Sequence, residues 1–219
     1  MNSLICFGEV LWDMLPTGAQ PGGAPLNVAV HLKKQGQNPL LVSKIGNDDD
    51  GKKLIKFLKQ SKIDTSFIQI DDDLPTSRVL VHLDENKNAS FEICKPVAWD
   101  AIRPTNGLKK LIKSADLIIF GSLASRNSTT RNTLFQLIEN TTAQLLLDVN
   151  LRPPYDRQVV VEELLHKANM VKMNNDELVE IAGWNDVSGD EKHRQYCITS
   201  TGNELLTYFL GLQELLQVN

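Results

Sequence analysis

The sequence predicts an α/β protein built on a mostly parallel β-sheet. From about residue 108 onward, apolar runs of strand length alternate with helical patterns, which is the spacing of repeated βαβ units. Hydrophobic residues make up 42% of the 219 residues, enough for one sizeable buried core. A single domain spanning residues 1–219 is therefore expected.

The first half of the chain predicts core elements followed by a hairpin. Strands are predicted at 4–11, 39–45, 66–70, 76–83 and 89–93, and helices after Pro25 and after the turn at 47–51. Pro25 suits the first turn of a helix. The last two strands flank a polar turn and form a hairpin with one wetter face, which is a candidate for a small lid.

The second half alternates regularly. Helices are predicted at 108–114, 129–140, 157–168 and 176–182, and strands at 117–121, 145–149 and 170–173. In open parallel sheets, ligands bind at the carboxyl ends of the strands. The polar residues that directly follow the apolar runs are therefore the candidate functional residues.

Charge and cysteine content exclude several classes of protein. Lys and Arg total 23 against 27 Asp and Glu, a formal charge of −4, which argues against a chain that coats nucleic acid or an anionic membrane. The three cysteines are far apart without a CxxC pair, so a zinc site is disfavoured. Neither a signal peptide nor an apolar run of ~18 residues is apparent, and a cytoplasmic location is expected.

Two candidate clusters lie near the N-terminus. Glu9 and Asp13 follow the first strand, where carboxylates can accept hydrogen bonds from sugar hydroxyls; the alternative is an ordinary turn. Gly22 and Gly23 precede a helix that carries Asn27 in its first turn. Glycines let a backbone approach a ligand and a helix N-terminus offers free N–H groups, although a flexible loop would also fit.

Two further clusters end later strands. Asp148, Asn150 and Arg152 alternate, so their side chains share one side if the extended conformation persists; Arg binds phosphate or sugar oxygens, and a salt-bridged loop is the alternative. Asn174 can cap the next helix with Glu177 in its first turn. The functional alternative places Glu177 near a magnesium ion, which prefers carboxylate and water oxygens.

Other motifs are missing from the sequence. It contains no Walker G-x-x-x-x-G-K-[ST], no G-x-S-x-G elbow and no G-x-G-x-x-G after the first strand. P-loop nucleotide binding, nucleophilic hydrolysis and dinucleotide binding therefore have no support.

Taken in order, the clusters resemble the ribokinase-like (PfkB-type) family of carbohydrate kinases, and fructokinases within it. The resembling segments are Gly8-Glu9-Val10-Leu11-Trp12-Asp13, Gly22 to Ala29, Lys44 to Gly51, Leu74-Pro75-Thr76, Asp148-x-Asn150-x-Arg152 and Asn174-x-x-Glu177. Each motif is loose, whereas the ordered set from residue 4 to about residue 190 is specific.

The resemblance implies a three-layer α/β/α sandwich with a small β lid, contributed by about 10–22 and 76–100. It implies transfer of the γ-phosphate of ATP to a sugar hydroxyl with Mg²⁺. Asp13, Gly22, Gly23, Asn27, Phe91 and Arg152 would hold the sugar, with Arg152 also near the transferred phosphate. Asn174, Thr199 and Gly202 would bind nucleotide and phosphates, and Glu177 the metal. The Trp99-Asp100 pair, with Phe91, would influence which sugar binds, and lid strands would pair two subunits into a homodimer.

The sequence departs from the family near its end. The family's Gly-Ala-Gly-Asp motif, whose Asp takes the proton from the attacking hydroxyl, does not occur in the 219 residues. Residues 191–219 read as an atypical tail, and a truncated or frame-shifted product is expected. Three hypotheses stay open: a sugar kinase, a non-catalytic sugar-binding remnant, or an α/β nucleotide binder of another type.

Overall fold

The computed structural model describes residues 3–83, 89–184 and 195–198. Its strands are β1 Leu4–Phe7, β2 Leu11–Leu15, β3 Gly18–Gly22, β4 Leu40–Gly46, β5 Ile68–Asp71, β6 Ser77–Leu83, β7 Ala89–Ile93, β8 Leu117–Gly121, β9 Gln144–Asp148, β10 Met170–Met173 and β11 Gln195–Ile198. Its α-helices are α1 Ala24–Lys34, α2 Asp49–Gln60, α3 Asn106–Lys113, α4 Ser128–Ile138, α5 Gln158–Lys167 and α6 Asn175–Ala182. Short 3-10 helices span Ala98–Ala101 and Leu123–Arg126.

The larger sheet is parallel throughout the described residues. Its strand order is β11-β10-β9-β8-β1-β4-β5, and every described pair in it is parallel. The order reverses at β1, which pairs with β4 on one side and β8 on the other. This reversal leaves a crevice at the carboxyl ends of the strands, where open α/β sheets bind ligands.

Helices cover both faces of the larger sheet. Alternation along β1 sends Leu4 and Cys6 to the face covered by α1 and α2, and Ile5 and Phe7 to the face covered by α3 to α6. All four of these side chains are buried. The alternation in β1 is the two-residue period of a strand buried on both faces. The predicted three-layer α/β/α class is confirmed.

The smaller sheet forms the lid. Its order is β3-β2-β6-β7, with β2 antiparallel to β3 but parallel to β6. It joins the main core through Leu11, Val79 and Ile93, which are buried in the same cluster as the large sheet. The lid therefore shares the hydrophobic core of the three-layer domain and is not an independent unit.

The first predicted strand is two strands in the structure. The apolar run 4–11 breaks at Gly8, whose φ of +141° is a conformation that residues with a Cβ rarely adopt. Beyond that turn the chain leaves the large sheet and enters the small one at Leu11. The region 94–100 likewise lies outside the strands of the lid.

No helix in the described part of the chain is long and apolar enough to cross a membrane. The cytoplasmic location stays a prediction.

Candidate functional site

A cavity of about 790 Å³ lies between the carboxyl ends of the large sheet and the lid. Six segments contribute to it: the chain after β1, the start of α1, the lid strands, the 3-10 helix after β8, the end of β9 with the chain after it, and β10. Among the predicted site residues, it is lined by Asp13, Gly23, Asn27, Phe91 and Arg152, together with Glu9, Asp148 and Asn150. The fold thus brings together residues that are far apart in the sequence, such as Asp13 and Arg152.

Gly23 fixes the approach of helix α1 to the cavity. Its φ is +109°, and a Cβ there would lie 2.5 Å from the carbonyl oxygen of Glu9. The helix has no acidic residue in its own first turn, and the Glu9 carboxylate lies at its positive end, where it accepts from the N–H of Ala24. Asn27, in that turn, is exposed and lines the cavity. The backbone N–H of Ala24 donates to Glu9 and that of Asn27 donates to Gly23, so this helix start offers a polar ligand mainly the side-chain amide of Asn27.

Gly22 does not line the cavity itself; its missing side chain leaves space for the carboxylate of Asp13. The two residues lie on paired strands β2 and β3, and a Cβ at Gly22 would overlap Oδ2 of Asp13. Burial raises the pKa of the Asp13 carboxyl, and the nearby charge of Arg152 partly offsets this shift. The missing side chain at position 22 lets the carboxylate lie over strand β3.

Glu9 is more deeply buried than Asp13. Only 1% of it is exposed, and its Oε1 accepts a hydrogen bond from the backbone N–H of Ala24 at 3.2 Å. Burial raises its pKa to about 7, although the backbone N–H groups of Glu9 and Ala24 favour the ionised form. The side chain therefore ties the end of β1 to the start of α1.

The segment after β9 reaches the cavity through a turn and not as the extended chain that the sequence predicted. Asn150 has a φ of +44°, so the extended conformation proposed for 148–152 does not persist. Asp148, Asn150 and Arg152 line the cavity nonetheless, because the chain turns there rather than continuing as a strand. The Nη1 of Arg152 donates to the carbonyl of Leu151 at 2.7 Å, which leaves other guanidinium N–H groups for a ligand.

Lys172 is a cavity residue that the sequence reasoning missed. Its Nζ lies 2.8 Å from Oδ1 of Asp148, and it lines the cavity from β10. Burial raises the pKa of Asp148, with Lys172 opposing this shift and Glu177 adding to it. The sequence does contain a signal for Lys172, a lysine inside an otherwise apolar strand, because a buried charge needs a partner of opposite charge. His31, on helix α1, also lines the cavity.

Asn174 and Glu177 form a capping box. Asn174 Oδ1 accepts from the N–H of Glu177 at 2.8 Å, and Glu177 Oε2 accepts from the N–H of Asn174 at 2.9 Å. Glu177 Oε1 also accepts from the N–H of Leu151 at 3.0 Å. Neither residue lines the cavity. Both carboxylate oxygens of Glu177 are thus engaged, and direct magnesium binding would compete with these bonds.

The proposed nucleotide and metal roles stay predictions. Among the described residues, no group of three or more His, Cys, Asp or Glu side chains could hold a metal ion. Thr199 and Gly202 lie outside the described residues.

The lid contributes one exposed aromatic residue. Phe91 is 65% exposed and lines the cavity. Contrary to the prediction, Trp99 and Asp100 do not line it: Trp99 is fully buried, and Asp100 binds Arg126 through two 2.8 Å hydrogen bonds. The Arg126 guanidinium also lies 4.0 Å from the Trp99 ring centroid. This pair therefore packs in the core beneath the lid.

The whole chain was compared with known families and relatives. The profile described as "pfkB family carbohydrate kinase" matches residues 4–211. A fructokinase of Salmonella typhimurium is 29% identical over 202 residues, which are 86% of this chain and 66% of that protein. A putative sugar kinase of Pyrococcus horikoshii is 32% identical, over 73% of this chain and 54% of that protein. The chain spans 54% to 66% of the length of these curated relatives.

Solved structures match the fold. The crystal structure of a Pyrococcus horikoshii sugar kinase in complex with ATP has a TM-score of 0.72 at 28% identity, covering 82% of this chain and 65% of that one. A Vibrio cholerae fructokinase bound to fructose, ADP and calcium has a TM-score of 0.72 at 25% identity, covering 86% and 65%.

Proposed function

Because the chain belongs to the pfkB family of carbohydrate kinases, we propose that its cavity binds a sugar whose hydroxyl is phosphorylated by ATP, as in a fructokinase. One observation supports this most directly. Asp13, Asn27 and Arg152 come from three separate segments and line one cavity under the lid. An acceptor, an amide and a cation in one polar recess suit a hydroxyl-rich ligand that receives a phosphate.

Each side chain has a chemical part in this proposal. The Asp13 carboxylate accepts hydrogen bonds from two neighbouring sugar hydroxyls, and Asn27 both donates and accepts. Gly23 allows the sugar to approach the backbone at the start of α1. Phe91 covers an apolar face of the sugar from the lid. These contacts position the acceptor hydroxyl, and positioning is a large part of phosphoryl-transfer catalysis.

Arg152 would stabilise the transferred phosphate. Its guanidinium carries a permanent positive charge, and it lines the same cavity as Asp13. A fixed cation at this point would offset the negative charge on the phosphoryl oxygens. Closure of the lid would exclude water, so that the phosphate is transferred to the sugar and ATP is not hydrolysed.

ATP would supply the phosphoryl group, and the ATP complex of the Pyrococcus horikoshii kinase supports this donor. Asn174, Thr199 and Gly202 are proposed to contact the nucleotide, and Glu177 to act near Mg²⁺. Since both oxygens of Glu177 accept backbone hydrogen bonds, any effect on the metal would pass through water or through the loop that Glu177 holds.

A homodimer formed through the lid is also proposed. Strands β3 and β7 are the outer strands of the small sheet, and outer strands can pair with a second chain. Sedimentation velocity should then give a dimer. Lys substitutions on an outer strand should convert it to a monomer, and a monomeric wild-type chain would contradict the proposal.

An assay of ATP-dependent phosphorylation with fructose and a panel of other sugars tests the activity. The proposed kinase gives turnover that depends on both sugar and ATP. Since the 219 residues contain no Gly-Ala-Gly-Asp, sugar binding without turnover would favour the alternative of a non-catalytic sugar-binding protein. Isothermal titration with sugar alone and with ATP alone separates these two from a nucleotide binder of another type.

A further inference from the structure

Glu9 holds an unsatisfied buried oxygen at the edge of the cavity. Its Oε1 accepts from the N–H of Ala24, whereas its Oε2 is buried and has no hydrogen-bond partner among the described residues. Buried polar atoms nearly always have a partner. An unpartnered carboxylate oxygen in a side chain that lines a cavity indicates a donor that the ligand supplies.

The position of Glu9 is fixed before any ligand binds. Gly23 packs against its carbonyl group, where no side chain would fit, and the Ala24 N–H holds one carboxylate oxygen. Little conformational freedom is left for the other oxygen to lose on binding. Such preorganisation favours affinity, because a side chain that is already ordered loses little conformational entropy when the ligand binds.

The neighbours of Glu9 decide which kind of ligand can supply the donor. Asp148 lies close enough to raise the pKa of Glu9, and Arg152 close enough to lower it. A phosphate group would be repelled by these two carboxylates. A metal ion has no set of three ligands among the described residues. A neutral hydroxyl group is compatible with both restrictions and donates one hydrogen bond.

We propose that Oε2 of Glu9, in the ionised carboxylate, accepts a hydrogen bond from a hydroxyl of the bound sugar, so that Glu9 is a specificity-determining residue alongside Asp13. This inference rests on the proposed sugar-binding function and assigns a residue of the same cavity. A site that hydrogen-bonds a hydroxyl rejects analogues that lack it, because the acceptor is then left unpaired. Glu9 therefore selects one hydroxyl of the sugar.

The substitution Glu9→Gln tests this contact. Glutamine keeps an oxygen for the Ala24 N–H but places an amide N–H group where the carboxylate accepts. The dissociation constant for fructose, measured by titration calorimetry without ATP at pH 8, where the Glu9 carboxyl is mostly ionised, should rise at least about tenfold. The melting temperature should not fall, because the uncharged side chain is compatible with burial. Glu139→Gln, in an exposed ion pair with Lys167, is the matched control and should keep the wild-type affinity.

Deoxyfructose analogues identify the hydroxyl. The analogue that lacks the contacted hydroxyl should bind the wild-type chain about as weakly as fructose binds E9Q. It should lose no further affinity in E9Q, which is the coupling expected of two groups in direct contact. Every other deoxy analogue should lose the same factor in both proteins.

The outcomes are distinct. Wild-type affinity for fructose in E9Q would overturn the assignment of Glu9 while leaving the proposed function standing. Failure of the wild-type chain to bind any sugar would overturn both. If E9Q does not fold, carbon-13 NMR of the labelled wild-type glutamates decides: fructose should lower the titration midpoint of the Glu9 carboxyl, and an unchanged midpoint would overturn the contact.

Discussion

The carboxylate of Asp13 occupies the space that a side chain at Gly22 would fill. The two residues lie on neighbouring strands of the lid, and a Cβ at Gly22 would overlap Oδ2 of Asp13. Asp13 also lines the cavity, whereas Gly22 does not. The glycine is therefore needed for the orientation of a proposed ligand contact, which makes it a sensitive test of the site.

Gly22→Ala should weaken sugar binding without unfolding the protein. The added Cβ meets the ends of two side chains, the Asp13 carboxylate, which can rotate away, and Cδ1 of Leu11 at 3.0 Å, so the free energy of unfolding should fall by about 1 kcal/mol. The displaced Asp13 should lose its sugar contacts, and the dissociation constant for fructose should rise at least about tenfold. Gly107→Ala is the control, because its Cβ would make only ordinary contacts with Phe67 and Thr105. Equal fructose affinity in wild type and G22A would contradict this role.

Gly23→Ala should affect both stability and binding. Its Cβ would lie 2.5 Å from a backbone oxygen that cannot rotate away, at a φ of +109°. Gly36→Ala is the matched control, because Gly36 also has a positive φ, of +84°, with nothing within 4 Å. The control should lose about 1–2 kcal/mol of stability from its backbone conformation alone. G23A should lose a further amount of about 1–3 kcal/mol from the close contact. Urea unfolding that gives the same loss for both variants would be evidence against the contact.

Glu177→Ala should reduce both the stability of the protein and its affinity for fructose even when no metal ion is present. The substitution leaves the N–H groups of Leu151 and Asn174 without their acceptor, which should reduce the free energy of unfolding by about 2 kcal/mol or more. Fructose affinity without ATP or Mg²⁺ should fall as well, since Leu151 precedes Arg152. The exposed Glu180, on the same helix, supplies the control E180A. A variant that is weakened only when ATP and Mg²⁺ are added would indicate a metal role alone.

The stability of the protein should depend on pH through Glu9. Its pKa is about 7 in the folded protein against an ordinary value of 4.5, so folding takes up a proton between these values. The contribution of the neutral carboxyl is complete below pH 4.5 and is lost as the pH rises through about 7. Relative to Glu9→Gln, the wild-type free energy of unfolding should fall by about 1 kcal/mol per pH unit within that window.

The comparison with E9Q isolates Glu9 from the charges around it. Asp13, His31, Asp148, Arg152 and Lys172 line the same cavity and are present in both proteins, so their contributions to the free energy of unfolding largely cancel in the difference. Urea unfolding from pH 5 to pH 8 supplies the measurement. Parallel curves for the two proteins would show that the carboxyl titrates normally.

Much of the fold could be predicted because local pattern and burial agree. Strands at 117–121 and 170–173 were predicted with the bounds that the structure has, since each is a short apolar run between polar segments. The placement of polar groups after strands was equally predictable, because it follows from the parallel topology.

The remaining features depend on contacts between distant segments. The left-handed conformation of Asn150 and the break at Gly8 redirect the chain in ways that the alternation of residues does not encode. Lys172 pairs with Asp148 from the neighbouring strand, and Trp99 packs beneath the lid against Arg126. The difference between the two oxygens of Glu9, one bonded to the N–H of Ala24 and one without a partner among the described residues, depends on how α1 is placed beside β1, which the sequence does not encode locally.

Calorimetric titration of fructose into the wild-type chain and into Asp13→Ala tests the central claim most directly. If the cavity under the lid binds the sugar, the wild-type chain should show saturable binding. D13A should bind at least about tenfold more weakly with an unchanged melting temperature, because the half-buried carboxylate lines the cavity and is proposed to contact the sugar rather than the core. Identical binding by the two proteins would contradict the claim and place the sugar elsewhere.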